Sequence, residues 1–242
     1  ALGCWRTHGV FDEGSLEALP PDAAVSDAQA ATLWVNPATA LRMLSDFVHL
    51  HEGDTIALNA SNSAVGRACI ELAAARGVSS VCLFRERSTA EGTAALEREL
   101  GSLGATLAVP ETRLRDAHVR ARLKELPPPV LALNAVGGRS AAMLSRMLNP
   151  GGTLVTYGGM AQAPAWVGTG DLIFKDVCAR GFWLSRWVRE APREARAATL
   201  EAVIAAGLRA PPTEIVPLSN LPKALHDRAP QSPKLVVNLS SP

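Results

Sequence analysis

Residues 54–66 read D-T-I-A-L-N-A-S-N-S-A-V-G. The apolar run 55–58 predicts a buried strand, and the small polar residues after it predict a tight loop. The pattern from Ala64 onward predicts a helix that ends near Gly77. A strand, a small-residue turn and a helix N-terminus in this order can bind a pyrophosphate through free backbone N–H groups and the positive end of the helix dipole.

The fingerprint of such a loop is G-x-G-x-x-G, and this chain departs from it. The aligned positions are Ser61, Ser63 and Gly66, so only the last glycine, which allows close packing of helix on strand, is present. Taken alone, the stretch fits either a phosphate-binding loop or an ordinary β–loop–α connection.

The pattern of strand and helix repeats along the chain. Apolar runs of strand length recur at 80–84, 130–135 and 153–157. Helical patterns fill the gaps at 64–76, 89–103, 113–126 and 139–148. Near-continuous apolar strands separated by helices indicate a parallel sheet that is covered on both faces. With right-handed crossovers, the fold class is α/β, a doubly wound parallel (Rossmann) sheet.

The flanking segments are less regular. The pair Asn36-Pro37 predicts a boundary, because the residue before a proline is disfavoured in a helix, and the helix after it should end near 51–53. Residues 9–11 have a β-like composition. Further predicted elements are a strand at 182–184, helices around 193–207 and 219–228, and a closing strand at 234–239.

Composition excludes several classes of protein. The 242 residues carry a formal net charge of +1, with 19% charged and 48% hydrophobic residues, which argues against nucleic-acid binding and against a disordered chain. No apolar run approaches the roughly 18 residues of a membrane span. Cys69 and Cys82 lie in apolar runs and are expected to be unreactive core thiols. Because the first residue is Ala1, we expect a fragment or processed form from which any targeting signal is missing.

The segment Arg85-Glu86-Arg87 follows the second predicted strand. It lies about 20 residues beyond the loop, where an NAD-binding domain keeps an acid for the ribose 2′-hydroxyl. Two arginines there suit a 2′-phosphate instead, because guanidinium groups bond phosphate oxygens in planar, charge-assisted pairs. The pattern therefore favours NADPH. Two alternatives stay open, an ordinary solvated loop and a role for Glu86 as the ribose acid.

Two later strands end in paired glycines, Gly137-Gly138 and Gly158-Gly159. Ligands sit beyond the carboxyl edge of a parallel sheet, and glycine there permits close approach of the backbone to a flat ligand. A tight β–α turn explains either pair equally well. No histidine shows a metal-ligand spacing, so no metal site is predicted.

Seven segments together resemble the mitochondrial trans-2-enoyl-CoA reductase (enoyl-thioester reductase) branch of the zinc-independent medium-chain dehydrogenase/reductase superfamily. The matching stretches are W-R-T at 5–7, V-N-P-A-T-A at 35–40, N-A-S-N-S-A-V-G at 59–66, L-A-L-N-A-V-G-G at 131–138, T-Y-G-G-M at 156–160, L-I-F-K-D at 172–176 and R-G-F-W-L-S at 180–185. The serine-containing phosphate loop is itself a feature of this branch. Ala64 is a departure, since the branch usually has glycine there.

The resemblance implies an NADPH site and a domain division. The implied cofactor-binding residues are Asn36, Asn62, Ser63, Ala64, Val65, Arg85, Glu86, Arg87, Tyr157, Gly158, Gly159, Met160, Phe182, Trp183, Leu184 and Lys234. Residues 37–185 would form the NADPH-binding Rossmann domain. Residues 1–36 would be the C-terminal remnant of a second, β-rich GroES-like catalytic domain, and 186–242 would return to it.

The implied reaction is transfer of a hydride from NADPH to the β-carbon of a trans-2-enoyl thioester of CoA or acyl carrier protein, in mitochondrial fatty-acid synthesis. The family credits a tyrosine of the catalytic domain with a proton-donating or positioning role. The only tyrosine here, Tyr157, belongs to a cofactor-side motif, so no catalytic residue is assigned. The resemblance also implies a homodimer. The alternatives are a quinone-oxidoreductase-like NADPH reductase and a non-catalytic NADPH-binding protein.

Overall fold

The computed structural model describes residues 7–20, 23–228 and 233–239. Its helices are α1 (Asp27–Leu33), α2 (Val35–Asp46), α3 (Ala64–Ala75), α4 (Ala90–Ser102), α5 (Ala117–Lys124), α6 (Gly138–Met147), α7 (Thr169–Lys175), α8 (Leu184–Glu190), α9 (Arg193–Ala205) and α10 (Leu221–His226). Its strands are β1 (Thr55–Leu58), β2 (Ser79–Phe84), β3 (Leu107–Pro110), β4 (Leu131–Asn134), β5 (Thr153–Thr156), β6 (Cys178–Gly181), β7 (Thr213–Pro217) and β8 (Lys234–Asn238). Short 3-10 helices occupy Glu13–Ser15, Glu111–Arg113 and Leu218–Asn220.

The larger of two compact units comprises residues 36–190. It contains a six-stranded sheet in the order β3-β2-β1-β4-β5-β6, and every neighbouring pair is parallel. This is the strand order of the Rossmann fold. The predicted doubly wound parallel sheet is therefore confirmed.

Burial of the central strands explains why they read as continuous apolar runs. All four residues of β1 and all four of β4 are buried. On one face, the neighbouring residues Ala57, Ala132 and Leu154 pack in a common cluster with Leu144 and Leu148. Each leucine so buried contributes about 1.5–3 kcal/mol to stability, which fixes the register of the sheet.

The strand order creates a crevice at one edge of this sheet. The chain runs outward from β1 to β2 and β3, then returns to place β4 on the other side of β1. The connections that follow β1 and β4 therefore diverge, and ligands of open α/β sheets bind at such a point, beyond the carboxyl ends of the strands.

The smaller unit is formed by the described residues of 1–35 and 191–242. It contains the parallel pair β7–β8 and the helices α1, α9 and α10. Arg196 of α9 bonds Glu17 at 2.5 Å and the Gly14 carbonyl at 3.1 Å. The closing strand is confirmed as β8. The origin of this unit in a GroES-like domain stays a prediction, as do the predicted domain boundaries.

The predicted strand at 182–184 is wrong. The sixth strand is β6, four residues earlier, and Leu184 begins α8. The sequence of β6, C-A-R-G, is exposed along its whole length because it forms the edge of the sheet, so it carries no apolar run. The other edge strand, β3, gave no strand prediction, since only its last two residues are buried and it ends in Pro110.

The predicted helix boundary at Asn36-Pro37 is also wrong, because α2 begins at Val35. The first N–H groups of a helix have no intrahelical acceptor, so Pro37 removes no hydrogen bond in the first turn. This helix ends at Asp46, short of the predicted 51–53.

Several other elements differ from the sequence-based expectation, and helix α7 and strand β7 were not predicted. Helix α5 begins at Ala117 rather than 113, because Glu111–Arg113 form a separate 3-10 turn. Residues 9–11 form no strand in the structure as described. Helix α1 was not predicted, although Ser26 and Gln29 form a capping box at its start.

Three thiols lie in the described part of the chain. Cys69 and Cys82 are buried, as predicted, whereas Cys178 is exposed on β6. Among the described helices, none has the length and apolar character needed to cross a bilayer.

Candidate functional site

The loop after β1 packs so tightly on α3 that position 66 admits only glycine. A Cβ atom on Gly66 would lie 2.6 Å from the carbonyl oxygen of Ser61 and 2.7 Å from its Cα. The buried Ser61 hydroxyl donates to the Leu83 carbonyl at 2.8 Å, which ties the loop to the end of β2. Ser61 is thus a structural residue, and Gly66 has the packing role that its fingerprint position predicts.

Ser63 caps α3 and leaves the first N–H groups of the helix unused. Its hydroxyl accepts a hydrogen bond from the Gly66 N–H at 3.1 Å. The backbone N–H groups of Asn62, Ala64 and Val65 have no acceptor among the described residues. Since α3 has twelve residues, its dipole places partial positive charge at the same point. The loop can therefore hold an anionic group at the mouth of the crevice.

A buried amide pair joins this loop to the end of β4. Asn59 donates through Nδ2 to Asn134 Oδ1 and to Ser140 Oγ, both at 2.8 Å, and its Oδ1 accepts from the Ala135 N–H at 2.7 Å. Asn134 Oδ1 also accepts from the N–H groups of Val136 and Gly137. The two connections that border the crevice are thus fixed to each other by side-chain hydrogen bonds.

Glu111 closes the network on the side of β3. Its carboxylate accepts a hydrogen bond from the Ser140 hydroxyl. Burial raises the pKa of Glu111, and the hydrogen bond from Ser140 and the charge of Arg85 offset part of that rise. A partly buried carboxyl group therefore lies near the arginine predicted to hold the cofactor.

The three residues after β2 divide into two groups. The Glu86 carboxylate accepts from Thr112 Oγ1 at 2.7 Å and from Arg113 Nε at 2.8 Å, with a second contact to Arg113 Nη2. The guanidinium groups of Arg85 and Arg87 make no hydrogen bond or ion pair with any described residue. Glu86 is thus paired with the connection after β3, while both arginines remain available for an anion.

The paired glycines are explained largely by the protein itself. Gly137 has a φ of +88°, and a Cβ there would lie 2.5 Å from the Ala163 carbonyl oxygen. A Cβ on Gly158 would lie 3.0 Å from the Ala135 carbonyl oxygen. Gly138 has a φ of +52°, which disfavours other residues. Of the four glycines, Gly159 alone has both an ordinary φ and open space where a Cβ would lie. The close approach of these turns to a flat ligand stays a prediction.

Tyr157 points its hydroxyl into the protein. The oxygen is buried and has no hydrogen-bond partner by distance and angle in the described structure. Burial raises the pKa of Tyr157 far above its usual range, and the nearby Ser63 hydroxyl offsets only part of that rise. The phenol is therefore un-ionised.

The predicted nicotinamide side combines exposed and buried side chains. Met160 and Trp183 are 66% and 57% exposed, and Arg189 lies over the Trp183 ring at 5.2 Å. Phe182 makes an edge-on contact with Phe47, with ring centroids 5.9 Å apart. Leu184 is buried in the core, so its side chain is not free to line a pocket.

Most of the predicted site residues share one edge of the sheet. They follow the carboxyl ends of β1, β2, β5 and β6, which are parallel. Asn36 lies in the first turn of α2, and Lys234 begins β8 in the smaller unit. Their cofactor contacts stay predictions. Trp5 and Arg6 of the W-R-T motif lie outside the described residues.

Sequence reasoning missed the residues that support the site, among them Asn59, Ser140, Glu111 and Arg113. Asn59 and its partner Asn134 could have been found, because both come at the end of apolar runs that form neighbouring central strands. The contacts of Glu111 and Arg113 depend on β3, which was not predicted.

Comparison with known proteins gives a consistent family. Residues 64–201 match the family model described as zinc-binding dehydrogenase. Within the described residues, no group of three or more His, Cys, Asp or Glu side chains could hold a metal ion. The human mitochondrial enoyl-[acyl-carrier-protein] reductase is 45% identical over 228 residues, which cover 93% of this chain and 60% of that protein.

Solved structures agree with this relationship. The Etr1p/Etr2p heterodimer of mitochondrial 2-enoyl thioester reductase from Candida tropicalis is 28% identical with a TM-score of 0.79. An Etr1p mutant in complex with NADP and crotonyl-CoA is 27% identical with a TM-score of 0.78. Each match covers 88% of this chain and 62% of the other chain.

The chain therefore spans about three fifths of the length of these proteins. The family model alone matches more than half of this chain. The chain belongs to the zinc-binding dehydrogenase family and is similar to mitochondrial enoyl-thioester reductases.

Proposed function

We propose that this chain supplies the NADPH-binding part of a 2-enoyl thioester reductase. The observation that carries the proposal is the contrast within Arg85-Glu86-Arg87, where neither guanidinium group makes a hydrogen bond or ion pair with a described residue and the carboxylate is paired elsewhere. This arrangement suits a 2′-phosphate rather than a ribose hydroxyl. The Etr1p structure with bound NADP supports the same choice.

Each part of the sheet edge has a role in holding the cofactor. With NADPH bound, the N–H groups of Ala64 and Val65 would hold the pyrophosphate at the start of α3, and Arg85 and Arg87 would bind the 2′-phosphate of the adenosine ribose. Met160 and Trp183 present apolar surface that excludes water from the nicotinamide end. The bound NADPH supplies a hydride for the β-carbon of a trans-2-enoyl thioester.

Tyr157 is not the proton donor in this proposal. Its hydroxyl is buried beside Ser63, and burial keeps the pKa of the phenol far above its usual range. The proposal therefore assigns protonation of the α-carbon to a group other than Tyr157. This agrees with the assignment of no catalytic residue.

Alanine substitutions at Arg85 and Arg87 test the cofactor site. Each charge-assisted bond contributes roughly 1.5–3 kcal/mol, so each change should weaken NADPH about 10-fold to 100-fold and leave NADH nearly unaffected. Titration of the fluorescence of each reduced dinucleotide measures both affinities. Arg120→Ala, which removes the same charge from an exposed position of α5, is the matched control. Equal losses for both dinucleotides would refute the 2′-phosphate site.

The substrate is tested with the protein expressed from its complete coding sequence. We expect NADPH oxidation with crotonyl-CoA or a crotonyl acyl carrier protein, and a comparison of the two identifies the preferred carrier. Faster oxidation with a quinone would favour the quinone-oxidoreductase-like alternative. Binding of NADPH without turnover of any of these acceptors would favour a non-catalytic NADPH-binding protein.

The proposed assembly is a homodimer formed through the cofactor unit. The edge strand β6 has no second neighbour in the described sheet and is exposed at every residue. Helix α7, just before it, exposes Ile173 and Phe174 by 67% and 84%. An open strand edge beside exposed apolar side chains is a surface that pairing would cover.

Sedimentation at increasing dilution tests the homodimer. Phe174→Asp should shift the equilibrium toward monomer, whereas Ile215→Asp, at an exposed apolar position of β7, should not. A wild-type chain that is monomeric at all concentrations would contradict the proposal.

The proposed location is the mitochondrion, with a role in fatty-acid synthesis. The support is the name of the human relative. Imaging of a fluorescent fusion of the complete coding sequence tests the location, and a cytosolic signal would refute it.

A further inference from the structure

The connections after β2 and β3 lie side by side, and this brings Glu86 against the 3-10 turn Glu111–Arg113. The strands are paired to their ends, with Phe84 opposite Pro110. Residues that follow the two strands are therefore neighbours at the cofactor edge. The Glu86 carboxylate spans this gap to bond both Thr112 and Arg113.

The bonds hold Glu86 on the side of β3 and keep it ionised. Arg113 binds the carboxylate through two of its nitrogens, and Thr112 donates a third hydrogen bond. The hydrogen bonds from Thr112 and then Arg113 hold the pKa of Glu86 below its usual range. The Glu86 carboxylate in the middle of the R-E-R segment is thus charged at neutral pH, and its charge is compensated by Arg113.

Arg113 is committed to this carboxylate rather than to a ligand. Its guanidinium lies among the charges of Glu86, Glu97 and Asp116, which together raise its pKa. The guanidinium groups of Arg85 and Arg87, by contrast, make no hydrogen bond or ion pair with a described residue, although the charge of Arg85 acts on Glu111. These three arginines therefore divide into two whose guanidinium groups are available for an anion and one that neutralises Glu86.

We propose that Arg113, assisted by Thr112, is a positioning residue that sets the preference for a 2′-phosphorylated dinucleotide by holding Glu86 away from the ribose. The inference rests on the proposed binding of NADPH at Arg85 and Arg87. Without Arg113, the Glu86 carboxylate loses its compensating charge and keeps only the hydrogen bond from Thr112. It then repels a 2′-phosphate and can accept hydrogen bonds from a free 2′-hydroxyl, which is how an acid at this position favours NADH.

Dinucleotide binding to four forms of the chain tests this role. The forms are the wild type, Arg113→Ala, Glu86→Gln and the double variant, with dissociation constants for NADPH and NADH measured by fluorescence titration. In Arg113→Ala, we expect the NADPH:NADH affinity ratio to fall about 3-fold to 10-fold, as for one partly exposed charge. Glu86→Gln alone should change the ratio less than Arg113→Ala does.

The double variant separates positioning from direct contact. If Arg113 acts through Glu86, the double variant regains most of the wild-type ratio, because the carboxylate that Arg113 restrains is gone. An equal loss of NADPH affinity in both backgrounds would mean that Arg113 contacts the phosphate itself, and this overturns the inference. An unchanged ratio in Arg113→Ala, including parallel weakening of both dinucleotides, also overturns it.

The failure of the proposed function looks different. A wild-type chain that binds neither dinucleotide, or binds both equally, contradicts the NADPH site and the inference together. If only the inference fails, the wild type still prefers NADPH and Arg113→Ala keeps that preference. Arg120→Ala again controls for loss of positive charge.

Discussion

Replacement of Asn59 by alanine should destabilise the larger unit, because this buried side chain makes three hydrogen bonds at the crevice. The Ala135 N–H would lose its acceptor in a buried site, which costs about 1–3 kcal/mol. The bonds to Asn134 and Ser140 contribute roughly 1 kcal/mol each. Asn134 Oδ1 still accepts from two backbone N–H groups, and the Ser140 hydroxyl still donates to Glu111, so neither side chain is left unpaired. We expect a total loss of about 3–5 kcal/mol in the free energy of unfolding.

Urea-induced unfolding, followed by tryptophan fluorescence, measures this loss. The matched control is Asn149→Ala, which removes the same atoms from a side chain whose Oδ1 has no partner among the described residues. Its cost should stay within about 0.5 kcal/mol. If the two variants lose the same stability, the buried amide pair does not fix the crevice and the reasoning from its hydrogen bonds is refuted.

Three further predictions concern the same edge of the sheet. Gly66→Ala should lower the free energy of unfolding by about 1–3 kcal/mol and weaken NADPH binding, because the added Cβ meets the Ser61 backbone. Gly101→Ala, at an open position of α4, should leave stability unchanged or raise it. Equal effects of the two changes in urea unfolding would contradict this. Tyr157→Phe removes a buried hydroxyl that has no partner, so the free energy of unfolding should not fall; a loss above about 1 kcal/mol would show that the hydroxyl is bonded. Burial raises the pKa of Glu111 in the folded chain, so the wild type loses stability as pH rises from the ordinary value of 4.5 through the raised one. The stability gain from Glu111→Gln should therefore grow with pH over that window, and a gain that shrinks with pH would sink the assignment.

The central part of the fold could be predicted from the sequence because burial on both faces leaves a strong signal. Strands β1, β2, β4 and β5 are apolar along most of their length, and each was predicted within a residue or two. The edge strand β6 is exposed, so its residues carry no such pattern, and the apolar residues just after it gave the wrong position. Pro37 predicts a boundary before the helix, but it lies in the first turn of α2, where a proline removes no hydrogen bond.

The sequence could predict the site residues whose side-chain chemistry matches a ligand. It could not predict the residues whose role is to support another residue of the site. Arginines after β2 suggest a phosphate directly, whereas the pairing of Glu86 with Arg113 joins positions 27 residues apart. That pairing depends on β3 as a neighbour of β2. Asn59 and Asn134 are 75 residues apart, and only the placement of β4 beside β1 brings them together.

The contrast among the thiols makes the chain a selective target for labelling reagents. Maleimides and disulfide reagents react with the thiolate, and burial raises the pKa of Cys82 to about 12 and that of Cys69 higher still. Cys178 alone among the described cysteines is accessible, and it lies on the open edge strand. With Cys4, which lies outside the described residues, replaced by serine, a dye on the native Cys178 would report directly whether anything covers that edge.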